Sequence, residues 1–314
     1  MTSTRRVFLS AAVGATLLKN QCEGQSTTTK QAVIDCHTHF YDPTRPQGVP
    51  WPAEGTPLYR TVLPEHLRAQ PQYLPVTGTV VVEASRWKED NQWLLDLAEK
   101  DPFILGVVGN LDPRDPLFRD DIGRFAENPL YRGIRISVQI IEELLASGQA
   151  QVLRAFPQHN LSLDINGGPH TPLVVSRLAK LHPDLRIIVN HIGNVEIDGN
   201  APPHDWQQGM LSLRQHRNVF CKVSALVEGA ARNGRNASTD LDYYRPVLDV
   251  VWKSFGAERL IYGSNWPVSD RAADYATLQR LAVEYFSERG SDVLERFLCE
   301  NSKLAYRWSG REEN

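Results

Sequence analysis

The stretch VIDCHTHFYDP, residues 33–43, ends an apolar run with two histidines two residues apart, His37 and His39, and carries Asp35 two residues before the first. In an extended strand side chains alternate faces, so these three would share one face. Such a set can serve as a metal pincer, as a metal-free acid/base pair, or as the plain polar end of a strand. The choice depends on what the rest of the chain brings to the same place.

Short runs rich in Val and Ile recur at 32–37, 78–84, 103–110, 131–137, 161–166, 186–192, 218–224 and 259–264. Amphipathic stretches separate them, among them 90–100, 120–128, 171–182 and 242–255, each with apolar residues at helical spacing. Alternation of this kind implies parallel strands joined by crossover helices, and eight such units predict one closed α/β barrel, a (β/α)8 TIM barrel over residues 31–310. In that fold function gathers at strand C-terminal ends. His37 and His39 end the first predicted strand, Glu83 the second, Arg135 the fourth, Asp164 and Asn166 the fifth, His191 the sixth, Lys222 and Ser224 the seventh, and Asn265 follows the eighth.

The motifs IDCHTHF, GIR at 133–135, IIVNHIGN at 187–194, NVFCKVSALVE at 218–228, YGSNWPVS at 262–269 and ENSKLAYRW near the C-terminus follow one another in order. With them the chain resembles the amidohydrolase-related family of the metal-dependent hydrolase superfamily, especially its lactonase-like branch, over residues 32 to 308. The resemblance implies that His37, His39 and His191 bind one divalent metal, often zinc, or in some members bind substrate without metal. Neutral imidazoles suit zinc, and three of them leave a fourth position open for a water whose pKa falls to about 7. Asp35, deeper on the first strand, would then orient the histidines.

The chain departs from the family pattern at the eighth strand, where Asn265 stands in place of an aspartate that would touch the metal and serve as base. Asparagine cannot accept a proton in that role, although it can orient a water or donate to a substrate oxygen. Glu83 is the expected replacement as base or ligand, against an ordinary ion pair with a neighbouring arginine; Asp164 is a weaker rival. Arg135 could hold a substrate carboxylate in a bidentate contact or form a structural salt bridge. His170, in the loop after strand five, could bind a substrate hydroxyl. The long first loop offers Tyr41 and Trp51, and Trp266 follows Asn265, as flat walls for a ring substrate, or as packing for the lid.

The 314 residues are 41% hydrophobic and 23% charged with a net charge of -3, and no basic run recommends nucleic acid as a partner. A small-molecule substrate is expected, and a homo-oligomer is compatible. The N-terminal segment pairs Arg5 and Arg6 with an apolar run from Val7 to Leu18, too short for a bilayer span of roughly 20 residues. It reads as a twin-arginine export signal over 1–22, followed by a linker over 23–30, which predicts a periplasmic protein without stable membrane association after cleavage. The alternative is a basic terminus on a cytoplasmic protein. Cys22, Cys36, Cys221 and Cys299 lack metal-knuckle spacing. The expectation is a hydrolase of small sugar or aromatic-degradation lactones using a histidine-bound divalent metal. Its alternatives are an amide or C–C hydrolase, a decarboxylase, or a noncatalytic binding barrel.

Overall fold

The computed structural model describes residues 1–2 and 31–311. The chain divides into two units, Met1–Gln31 and Ala32–Asn314. The expected export signal with Arg5, Arg6 and Cys22, and the linker, lie outside the described residues. No described helix is long and apolar enough to cross a membrane.

Eight strands, β1 (Ile34–Thr38), β2 (Gly78–Val82), β3 (Ile104–Gly109), β4 (Tyr131–Ser137), β5 (Ser162–Asn166), β6 (Arg186–Val189), β7 (Val219–Val223) and β8 (Leu260–Tyr262), form one sheet in sequence order. Every neighbouring pair is parallel. Helices such as Asp90–Lys100, Phe118–Ala126, Thr171–Leu181 and Arg245–Phe255 fall where the helical spacing predicts them. The TIM barrel expected from the alternation is thus the fold.

Strands buried on both faces need apolar residues at every position, which is why GTVVV carries no alternation. One set of side chains, including Ile34, Val80, Val82 and Ile261, fills the barrel interior beside Tyr306 and Trp308 of the C-terminal segment. Its counterpart, including Val81, Val107, Ile187 and Leu260, faces the helical ring.

The seam between β8 and β1 is closed by the site segments themselves. The Asn265 amide donates to the His37 carbonyl at 2.8 Å, and the His39 amide to the Trp266 carbonyl at 2.9 Å. Gly263 permits this approach, because a Cβ there would stand 2.9 Å from the His37 Cβ.

One expectation about β1 needs correction. Asp35 pairs with Thr79 but Thr38 pairs with Val81, so β1 carries one more residue than β2 between these pairings. An extra residue reverses which face the following side chains take. Asp35 and the histidines therefore part company: Asp35 accepts from the His37 amide at 3.1 Å, the Ser264 amide at 2.9 Å and the Tyr275 hydroxyl at 2.8 Å. It fixes the backbone of the seam, not the imidazole rings.

Candidate active site

The three histidines meet at the C-terminal end of the barrel. The His37 ring centroid lies 5.1 Å from that of His39 and 4.2 Å from that of His191. All three are buried. Burial holds each imidazole neutral: His37 and His191 fall well below the usual histidine range and His39 falls to about 3, with the buried Lys222 adding to the effect on His37 and the Arg135 guanidinium on the other two.

Each ring is held from behind. His39 Nδ1 donates to the Val82 carbonyl at 3.0 Å, leaving an unprotonated Nε2 facing the Asn265 Oδ1 at 3.2 Å, two acceptors side by side. His191 Nδ1 pairs with the Ser224 hydroxyl at 2.9 Å. His37 Nδ1 stands 3.2 Å from Lys222 Nζ, which itself donates to Asp164 Oδ2 at 2.6 Å. Asp164 also accepts from the Tyr306 hydroxyl. A lysine and an aspartate with no exposed side-chain surface at this distance form an ion pair.

These partners test the metal expectation. With an ammonium donating to Nδ1, the ring proton of His37 stays on Nε2, which is buried without a hydrogen-bond partner. A protonated Nε2 has no lone pair to give an ion. Position 265 contributes an amide where an anionic ligand would offset the ion's charge, and the nearest cations, Lys222 and Arg135, are each already paired with a carboxylate, Asp164 and Glu83. Among the described residues no set of three or more His, Cys, Asp or Glu is arranged to hold a metal ion. The three histidines assemble as expected; the Lys222 contact sets His37 against an ion, while His39, whose Nδ1 proton goes to Val82, keeps an Nε2 lone pair facing the Asn265 oxygen as a ligand would.

In front of the cluster opens a cavity of about 350 Å³ lined by His39, His191, Asn265, Glu228, Arg135 and Arg271, with Trp51 and Asn166 at its wall. Backbone strain concentrates here. Four lining residues are left-handed, Asn194 and Asn265 (φ 48° and 64°), which adopt it readily, and His191 and Ala225 (both φ 54°), for which it is less favourable. Trp51, from the first loop, lies edge-on to His39 with centroids 6.0 Å apart.

The structure sorts the other expected residues. Glu83 turns to Arg135, whose Nε donates to its Oε1 at 2.9 Å and whose Nη2 donates to its backbone carbonyl at 2.9 Å. It lines a neighbouring cavity of about 540 Å³ that shares Arg135 and Asn166 with the first. Arg135 thus borders both spaces. Asp164 is enclosed in the barrel interior. Tyr41 is buried and donates to the Leu58 carbonyl, supporting Trp51 with centroids 5.4 Å apart. Trp266 is fully buried. His170 is half-exposed and stands 3.5 Å from Glu142.

Glu228 was not singled out by sequence reasoning. It belongs to the short helix Leu226–Ala230 that follows β7, and Asn265 Nδ2 donates to its Oε1 at 2.7 Å. Its Oε2 is buried without a partner. Burial, against the pull of the Asn265 hydrogen bond, pushes its carboxyl up to about 7. The nearest sequence signal is that NVFCKVSALVE runs on from a strand end.

Among the described residues, a parallel barrel gathers a histidine cluster and a carboxylate without a charged partner at its C-terminal end. The family described as Amidohydrolase matches residues 34–308, and the chain belongs to it. The chain is 32% identical over 247 residues to an L-fucono-1,5-lactonase of Burkholderia ambifaria, covering 77% of this chain and 82% of that protein. It is 29% identical over 277 residues to an L-fucono-1,5-lactonase of Burkholderia multivorans, covering 84% and 91%. A crystal structure of a Burkholderia multivorans amidohydrolase with bound zinc superposes with a TM-score of 0.75 at 24% identity, covering 88% of this chain and 100% of that one. That last likeness speaks to the fold.

Proposed function

We propose that the protein hydrolyses a small cyclic ester, a sugar-derived lactone in particular, in the cavity bounded by His39, His191 and Asn265. The observation that carries this reading is the content of that cavity. About 350 Å³ admits one small ring, and its wall combines neutral imidazoles, a single carboxylate and two guanidinium groups. Opening a lactone creates first an oxyanion and then a carboxylate, and Arg135 and Arg271 supply the opposite charge. Kinship with two L-fucono-1,5-lactonases supports a ring ester over an amide.

In this scheme the Ser224 hydroxyl donates to His191 Nδ1 and so keeps the ring proton on Nε2. A neutral imidazole N–H beside the cavity can polarise the ring carbonyl without gaining charge. Trp51 offers an apolar face to the ring. The scheme draws on the site's own side chains.

Proton release on a panel of aldono-1,4- and 1,5-lactones, simple amides and aromatic acids tests this, before and after dialysis against a chelator. Turnover of at least one lactone, unchanged by chelation, is expected, and His191→Ala should lower it about 10²–10⁴-fold. Turnover of amides or acids alone would overturn the reading. Loss on chelation that zinc restores would place an ion on His37, His39 and His191.

A further inference from the structure

Ester hydrolysis needs a group that takes a proton from water and returns it to the leaving alkoxide. Among the described residues, Glu228 is the only carboxylate lining the cavity. The other buried carboxylates nearby are engaged: Glu83 with Arg135, Asp164 with Lys222 and Tyr306, Asp35 with Tyr275 and two backbone amides. Glu228 alone is held through one oxygen by a neutral amide, with the second oxygen unpartnered.

We propose that Glu228 is the general base and then the general acid of the hydrolysis, with Asn265 holding its carboxylate in place. This rests on the lactone reading above. As the water oxygen bonds to the ring carbonyl carbon, one water proton passes to Glu228 and the carbonyl π electrons move onto its oxygen. When the tetrahedral species collapses, the C–O ring bond breaks and the departing alkoxide takes that proton from Glu228. The product is the open hydroxy acid, which ionises and releases one proton. The first oxygen of Glu228 is held by Asn265 and the second has no hydrogen-bond partner, which leaves the carboxylate with unused acceptor capacity.

The charge environment suits a shuttle. Arg271 and Asp270, from the segment after β8, and Tyr244 face Glu228, and among the described residues Asn265 is its only hydrogen-bonded side-chain partner. Its carboxyl, pushed up to about 7, can both lose and regain a proton near neutrality.

The test compares wild type, Glu228→Gln and the double variant Glu228→Gln/Asn265→Asp on the best lactone across pH 5–9. Glu228→Gln, with a melting temperature near that of wild type, should lower kcat about 10²–10⁴-fold with little change in KM and flatten the acid limb of the pH profile. The double variant, with a carboxylate restored one hydrogen bond away, should recover at least about tenfold over the single one. A Glu228→Gln protein within threefold of wild type, or one that is slower but keeps the wild-type pH profile, overturns the assignment while leaving the lactone reading standing. A wild type inert on every lactone sinks both.

Discussion

Two glutamates flank the histidine cluster, and they differ in one respect. Glu83, at the end of β2, and Glu228, just past β7, are both drawn out of water, and burial raises both carboxyls. Glu83 meets a guanidinium, with side-chain exposures of only 13% and 18% for the acid and Arg135. Glu228 meets an amide. A fixed positive charge offsets desolvation and commits a carboxylate to its ionised form, whereas an amide satisfies one lone pair and leaves the proton in balance. The partner, more than the burial, decides which of two similar acids can move a proton.

Removing each partner separates the two cases. Arg135→Met would leave the Glu83 charge buried and unpaired, and such losses cost about 3–5 kcal/mol. Asn265→Ala would cost Glu228 only a hydrogen bond, about 1–2 kcal/mol. The second deficit should also depend on pH. Below about 7 Glu228 takes up a proton in the folded protein, so the lost donor to its charged form matters less at pH 6 than at pH 8. Urea unfolding at both pH values measures this. Equal and pH-independent deficits would break the distinction between the two glutamates.

Asn265→Asp alone sharpens the same contrast from the other side. It sets two carboxylates within hydrogen-bonding distance, and like charges this close do not both ionise readily. One proton is then shared by the pair. The acid limb of the kcat profile should move upward by roughly one pH unit or more, a shift read directly from a pH series. An unmoved limb would mean that Glu228 does not titrate in the working enzyme.

Much of this arrangement was legible in the sequence, and the failures have physical causes. The eight strands and the gathering of His37, His39 and His191 followed from hydrophobic runs and from the rule that barrel chemistry sits at strand C-terminal ends. Asp35 was misplaced because strand parity assumes regular pairing, and the extra residue in β1 is a property of its fit against β2. The ligand expectation for His37 depended on ring protonation, which Lys222 sets from a strand 185 residues away. Glu83 was singled out and Glu228 was not, because a strand end is visible in a pattern of Val and Ile. A residue on a short helix beyond the strand acquires its place only when Ala225 takes a left-handed turn and Asn265 arrives from β8. Partner choice among several buried charges is a matter of three-dimensional packing, and no one-dimensional spacing encodes it.

The smallest expected effect lies on the first loop, which bears on neither glutamate. Trp51 lies edge-on to His39 and is itself braced by Tyr41, so its ring forms one wall of the cavity without a hydrogen bond to either carboxylate. Trp51→Ala should weaken binding of a ring substrate by about 0.5–1.5 kcal/mol, a KM rise of a few-fold to about tenfold, with kcat and its pH profile unchanged. Steady-state kinetics on the same lactone check it. A fall in kcat with a displaced acid limb would instead tie the loop to the proton balance of Glu228, and the contrast between a charge-paired and an amide-paired glutamate would then depend on lid closure as well as on partner chemistry.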